Sequence, residues 1–328
     1  MHEPAQGAAS PEHKVQHCAQ GTLRSAHGHK EGAQVAAKRG ATGRRLELGL
    51  QLRGIRENIL VNGKPMTRKV AVQGTKLSEA ALQRIETGGL NFRKVGDLRK
   101  LLAKYGVDDE ETIDSFVEMN RDATSQDWVT RYRGQMLPTM QGFVGIEAEA
   151  QEIRIYHPQV VHGLLQTEAY AQAIFEIEKP IEETTSEFNR VNVALRMERK
   201  QRVLARDPDP VKLWAILGEA GLRYAIGGPD VMREQYEEIT RLSELDHVKI
   251  QVLPISGRGY RASSDLAILD LGDGLPPMVQ VDNAWGAVST SDKPKEVARF
   301  TRRFNQMIAS ALPSEETPEF MQRLAREL

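Results

Sequence analysis

The sequence predicts a multi-domain chain, an all-α domain of five short helices followed by an α+β domain. Three observations carry this. The 328 residues, 40% of them apolar, exceed one minimal core and suffice for two. Helical spacing runs through residues 46–120, whereas residues 121–328 mix helical stretches with short β-branched ones. Charge divides in a similar way, at +4 for residues 1–45, +7 for 46–105 and −12 for 106–328. A basic front on an acidic body suits a module that touches a polyanion joined to one that does not. A basic tail beside ordinary solvated surfaces gives the same sums.

Residues 1–45 are rich in Gly, Ala, His and charge with little to bury, and read as a disordered basic extension. Five of the eight histidines fall there at irregular spacing without partner cysteines, which does not make a metal site. Cys18 is the only cysteine, so no intrachain disulfide forms and a cytoplasmic chain is expected, nucleoid-associated if it binds DNA. No run approaches the roughly 20 apolar residues of a bilayer span, and no signal-peptide core precedes the first domain, so no membrane partner is expected.

Residues 46–120 form the helical domain. Leu48, Leu52, Ile55 and Ile59 recur at helical spacing before Asn62-Gly63 and Pro65 force a turn. Thr67 caps a short helix over 68–73, which Gly74-Thr75-Lys76 breaks. Ser78 caps the next, with Ala81, Leu82 and Ile85 inward and Thr87-Gly88-Gly89 ending it. A fourth helix carries Val95, Leu98, Leu101 and Leu102, and a fifth carries Ile113, Phe116 and Val117 after an acidic start.

In the α+β domain, residues 121–328, the spacing predicts a helix over 143–151, a strand over 152–156, a turn at His157-Pro158 and a helix from Thr167. A long charged helix follows from Thr185 to Leu204. "VKLWAIL", "VKIQVLP", "DLAILDL" and "PMVQVDN" read as strands, and the stretch from Pro229 to Leu245 as a helix. The last regular element is an amphipathic helix in residues 292–312. Strand order is not readable from this pattern, and no internal repeat is present.

Two short helices joined by a tight turn are the geometry that lays the second in a major groove. The spacing from Met66 to Gly88 fits it. Arg68 and Lys69 open the first helix as phosphate contacts, while Ser78, Glu79, Gln83 and Arg84 head the second. Gln83 matches an adenine edge and Arg84 a phosphate or guanine. A solvated helix face has the same composition.

The body offers no phosphate-binding glycine pattern, no Gly-x-Ser-x-Gly elbow and no metal-ligand cluster, so no cofactor is expected. What it offers is a set of polar and aromatic groups: Glu147, Tyr156, His157 and His162 within one short segment, and Tyr260, Arg261, Asp282 and Trp285 beside predicted strand ends. These suit a ligand pocket or, through His162, His157 and Glu147, acid/base chemistry. Capping and backbone satisfaction account for the same groups.

The phrases "LGLQLRGIRE" (Leu48 to Glu57) and "LSEAALQRIETG" (Leu77 to Gly88) resemble the lambda-repressor-like helix-turn-helix domain of the xenobiotic response element type. "GFVGIEAEAQEIRIYHPQVVHGLLQTEAYAQAI", "GGPDVMREQYEEI" and "VKIQVLP" resemble the DUF5753 domain that follows it in many actinobacterial regulators. The resemblance covers residues 48–105 and 128–328. It implies a DNA-binding transcriptional regulator, dimeric on double-stranded DNA, with a C-terminal domain sensing a small-molecule effector or a small protein partner. The alternative is the same scaffold repurposed as a cofactor-independent enzyme on a small metabolite in natural-product biosynthesis, by acid/base cyclisation or dehydration. The sequence departs from the resembled pattern at Ala71, Val72, Thr75 and Lys76, where Leu, Ala, a large apolar residue and Gly are usual. Lys76 then either strains a positive-φ turn by about 1 kcal/mol or moves the turn to Gly74. Glu79 stands where a basic or polar contact is common, and His162 where Pro is usual.

Overall fold

A computed structural model describes residues 41–123, 128–136, 138–207, 209–272, 275–282 and 288–328. The N-terminal helical region comprises α1 (Ala41–Asn58), α2 (Arg68–Val72), α3 (Glu79–Glu86), α4 (Val95–Lys104) and α5 (Glu110–Asp122). Residues 41–45, expected to be disordered, instead open α1, and the rest of that expectation, residues 1–40, lies outside the described residues. The reason for the longer helix is tertiary. Leu46 and Leu50 pack into the core of the following domain, and Arg45 Nη1 donates to the Ala123 carbonyl at 3.1 Å. Leu48 and Leu52 of the same helix are fully buried among the other helices, so α1 serves two cores.

Between α1 and α2 the chain makes an unanticipated hairpin, β1 (Leu60–Val61) with β2 (Lys64–Pro65). Asn62 and Gly63 turn it with φ of 54° and 74°, the pair of positive values that a two-residue hairpin loop favours. The Thr67 and Ser78 side chains accept from Val70 N (3.3 Å) and Ala81 N (3.1 Å), capping α2 and α3 as their residue types predict. Gly74 takes a φ of 76° while Lys76 does not enter the left-handed region, so the turn has moved to Gly74. Ala71 is fully buried, and Met66, Val70 and Val72 fill the space around it.

The second region adds α6 (Pro138–Glu147), β3 (Glu152–His157), α7 (Glu168–Glu178), α8 (Ser186–Leu204), β4 (Lys212–Gly218), α9 (Glu219–Arg223), α10 (Pro229–Ser243) and β5 (Val248–Leu253). It closes with β6 (Leu266–Asp270), β7 (Met278–Asp282), β8 (Val288–Ser291), α11 (Pro294–Ile308) and α12 (Thr317–Arg326). The strands make one sheet in the order β5-β4-β3-β6-β7-β8, with β3, β4 and β5 parallel and the β6-β7-β8 meander joined antiparallel to β3. The helical pairs α7–α8 and α9–α10 supply the crossovers that parallel neighbours require.

Period-two alternation sets the faces. Ile153, Ile155, Leu213, Ala215, Ile250 and Val252 face the larger core, shared with α6, α7, α8, α10 and α12. Tyr156, Ile216, Leu266 and Ile268 face a smaller core closed by Val297, Phe304 and Met307 of α11.

Several boundaries differ from those the sequence predicts. α6 starts at Pro138, where a fixed φ suits a first helical turn, and ends at Glu147 because Gln151 N donates to the Asp270 carbonyl and enters the sheet. His157, expected in a turn, completes β3 in register with Leu217. α11 is not the last element. α12 follows it, with Phe320, Met321 and Leu324 buried against the larger core, since a short amphipathic stretch becomes helical once it has a face to pack on. β8 reads only "VSTS" and is a strand through its pairing with β7.

Candidate functional site

Two groups of side chains stand apart from ordinary core and surface. The first is on α3. Leu82 and Ile85 fix its inner face, and Glu86 is fully buried beside them. The Glu86 carboxylate accepts from Arg56 Nε at 2.6 Å, Arg56 Nη2 at 3.0 Å and Arg68 Nε at 2.6 Å, and Arg56 Nη1 also donates to the Met66 carbonyl at 2.7 Å. A single carboxylate thus ties α1, α2 and α3 together. Arg68, expected to meet phosphate, is half-buried in this cluster, because a buried carboxylate draws the nearest guanidinium more strongly than solvent does. Ser78, Glu79, Ala80, Gln83, Arg84 and Thr87 form the exposed face of α3, with Lys69 and Lys76 exposed beside it. The Ser78 hydroxyl is occupied as the cap of α3.

The second group lies where β3 and β7 end and β6 begins, on the sheet face of the larger core. Parity places His157, Asp265, Gln280 and Asp282 on one face, because Leu269 and Ala267 share that side with Ile153 and Ile155. α6 and α8 bring Glu147, Arg196 and Arg199 to it, and the turn after β3 brings His162. Glu147 is buried, and its two oxygens accept from Arg199 Nε and Nη2, each at 2.9 Å. Arg196 Nη1 donates to Gln166 Oε1 at 2.8 Å, and its guanidinium lies 4.6 Å from the Phe175 ring centre. The rings of His157 and His162 are 6.0 Å apart, centre to centre. His162 Nδ1 accepts from Leu164 N at 3.2 Å, so in the neutral ring Nε2 carries the proton. His157 Nδ1 is enclosed and meets no hydrogen-bond partner among the described residues.

Loss of solvent dominates the electrostatics of this group. It holds His162 well below the ordinary 6.5, and His157, Arg199 and Arg196 push the same way. His157 is lowered by burial and by Arg196, with Asp265 and a hydrogen bond to the Val160 backbone opposing. Arg196 is pushed down to about 10 by burial and by Arg199, with Glu178 opposing. Asp282, exposed at the end of β7, is raised by partial loss of solvent at its carboxyl and by Asp265, with Arg199 and the Gln280 hydrogen bond opposing. Both histidines are therefore neutral near pH 7, between two guanidinium groups and two carboxylates.

Of the residues singled out from the sequence, Glu147, His157, His162 and Asp282 gather in this group. Tyr156 does not, since it points to the opposite face, where its hydroxyl donates to the Ala262 carbonyl at 3.4 Å. Tyr260 and Arg261 lie on that side too. Arg261 is exposed and clamps the loop after β5 by donating to the carbonyls of Pro254, Ile255 (3.0 Å) and Gly257 (2.9 Å). Trp285 lies outside the described residues. Arg196, Arg199, Asp265 and Gln280 escaped the sequence reading. Only the three-residue spacing of Arg196 and Arg199 on one helix face hinted at a shared target.

A separate cleft of about 840 Å³ lies on the other flank of α8, between that helix and the 3-10 turn Trp128–Gln135. Arg202 stacks on Trp128 at 4.7 Å there, and Tyr132 donates to Glu198 at 2.7 Å. Among the described residues, no group of three or more His, Cys, Asp or Glu could hold a metal ion, and no helix is long and apolar enough to cross a membrane.

A family model described as a domain of unknown function (DUF5753) matches residues 140–323, more than half of the chain. No curated protein and no solved structure matches.

Proposed function

The chain belongs to the DUF5753 family, and from that premise we propose that it is a DNA-binding transcriptional regulator whose C-terminal domain senses a ligand. The observation that carries this reading is the exposed face of α3. Its inner residues are locked by the Glu86 cluster while Glu79, Gln83 and Arg84 stand free of it, inside a region of charge +7. A rigid helix with one solvated polar face in a basic unit is what major-groove reading requires. α2 and α3 act as the helix-turn-helix, Lys69 and Arg84 neutralise phosphate, and Gln83 reads a base edge. Two copies related by a twofold axis place two α3 helices on half-sites one turn apart.

The test is binding of the full chain to its own upstream duplex at about 50 and 200 mM salt, against a scrambled competitor. Specific binding should weaken steeply with salt, and Arg84→Ala should lower the slope of log K against log salt by about one. Specific binding that Arg84→Ala and Gln83→Ala leave unchanged in affinity and slope would refute the assignment.

A second reading rests on the group at the strand ends, where two neutral imidazoles sit beside an aspartate whose carboxyl is raised. Such divergent titration suits acid/base turnover of a small metabolite. On this reading His162 and His157 move the proton, while Glu147 neutralises Arg199. Turnover by the purified chain that His162→Gln abolishes without loss of fold supports it. Equal turnover by that variant removes it.

A further inference from the structure

Charge at the strand ends is separated into two sides. On the α8 side, Arg199 is neutralised by both oxygens of Glu147. Arg196 is not. Among the described residues its one hydrogen-bond acceptor is the neutral amide of Gln166, and Glu178 acts on it only at longer range, without an ion pair. A half-buried guanidinium with no direct ion pair leaves its fork of donors short of acceptors, and a planar oxyanion is the group that geometry fits. His162 offers its Nε2 proton nearby, since Nδ1 is already used by Leu164 N. On the strand side, Asp282, exposed at the end of β7, is raised by burial of its carboxyl and by Asp265 as a like charge with Arg199 opposing, and among the described residues neither aspartate has an ion pair. His157 lies between the sides, within electrostatic reach of both Asp265 and Arg196, with Nδ1 unpartnered. A simple anion would meet the two aspartates, and a simple cation would meet Arg196. A molecule carrying both charges satisfies both sides.

We propose that this end of the sheet binds a small zwitterion, its carboxylate on Arg196 and His162 and its amine between Asp265 and Asp282. Gln280 positions Asp282 for this, since its Nε2 donates to Asp282 Oδ1. The inference rests on the reading of the C-terminal domain as a ligand sensor. Its test uses no DNA, so the two fail separately.

Titration calorimetry of the full chain with glycine, β-alanine, 4-aminobutyrate and 6-aminohexanoate samples the spacing between the two charges, and acetate and ethylamine serve as single-charge probes. At least one amino acid should bind more tightly than either single-charge probe. Arg196→Met and Asp265→Asn should each weaken it about tenfold or more, the loss expected for one charge-assisted hydrogen bond. Arg196→Lys, which keeps the charge and loses the fork, should fall between. If Arg196→Met does not fold, Asp265→Asn decides alone, because it keeps the shape at a strand end. Acetate binding as tightly as the best amino acid, binding indifferent to Asp265→Asn, or no binding by any of the four at millimolar concentration would each overturn the proposal.

Discussion

Replacing Glu86 by Gln tests the physical core of the helical region. The carboxylate is fully buried and receives three charged hydrogen bonds, at 2.6, 3.0 and 2.6 Å. Gln keeps the shape but cancels the charge, and its NH2 faces donors. Arg68, 30% exposed, can turn to water, whereas Arg56, 5% exposed, keeps only Glu57 at the rim and the Met66 carbonyl. The loss is that of one uncompensated buried charge, about 3–5 kcal/mol. For a helical unit of this size a change of 1 kcal/mol moves the melting temperature by about 4–8 °C. A drop of at least about 12 °C is therefore expected, which approaches complete loss of a unit whose total stability is of order 5–15 kcal/mol. Hydrogen exchange of the full chain, read at Leu52, Leu82 and Leu98, follows this unit apart from the rest. Arg56→Met combined with Glu86→Met should recover most of the loss, since an apolar pair of similar volume needs no counter-charge. Protection in Glu86→Gln within about 1 kcal/mol of the parent would refute the reasoning, as it lies below the range for a broken buried pair.

Gly49→Ala on α1 places a Cβ 2.2 Å from the Ile85 carbonyl oxygen, so α1 and α3 must separate, at a cost of about 1–3 kcal/mol measurable by urea unfolding. An unchanged unfolding midpoint would show that the helices do not meet there. His162, held well below 6.5 by burial, binds its proton more readily in the unfolded chain. Stability is therefore full above about pH 6.5 and declines as pH falls below it. His162→Gln should flatten that decline in thermal melts between pH 7 and 5, and an identical slope in the variant would contradict it.

How much of this was legible in sequence depends on the range of the interactions. The caps Thr67 and Ser78, the inward residues Leu82 and Ile85 and the apolar stripes of α1, α4 and α5 follow from spacings of three and four residues, which local backbone geometry enforces. Glu147, His157 and His162 were legible as a polar group because they lie within one short segment. Arg196, Asp265 and Gln280 were not, since only the order β5-β4-β3-β6-β7-β8 and the packing of α8 bring them together. Tyr156 was misplaced for a related reason. It follows Ile155 by one position, and one position in a strand reverses the face.

By itself the sequence determined the helical region, the change to a mixed α/β region and the charge contrast between them, because periodicity, capping and net charge are properties of neighbouring residues. Tertiary structure alone decided that Arg68 serves Glu86, that α1 is shared by two cores and that His157 lies within electrostatic reach of both Asp265 and Arg196. Those are contests between partners far apart in the chain, and burial settles them by removing water as the competing partner.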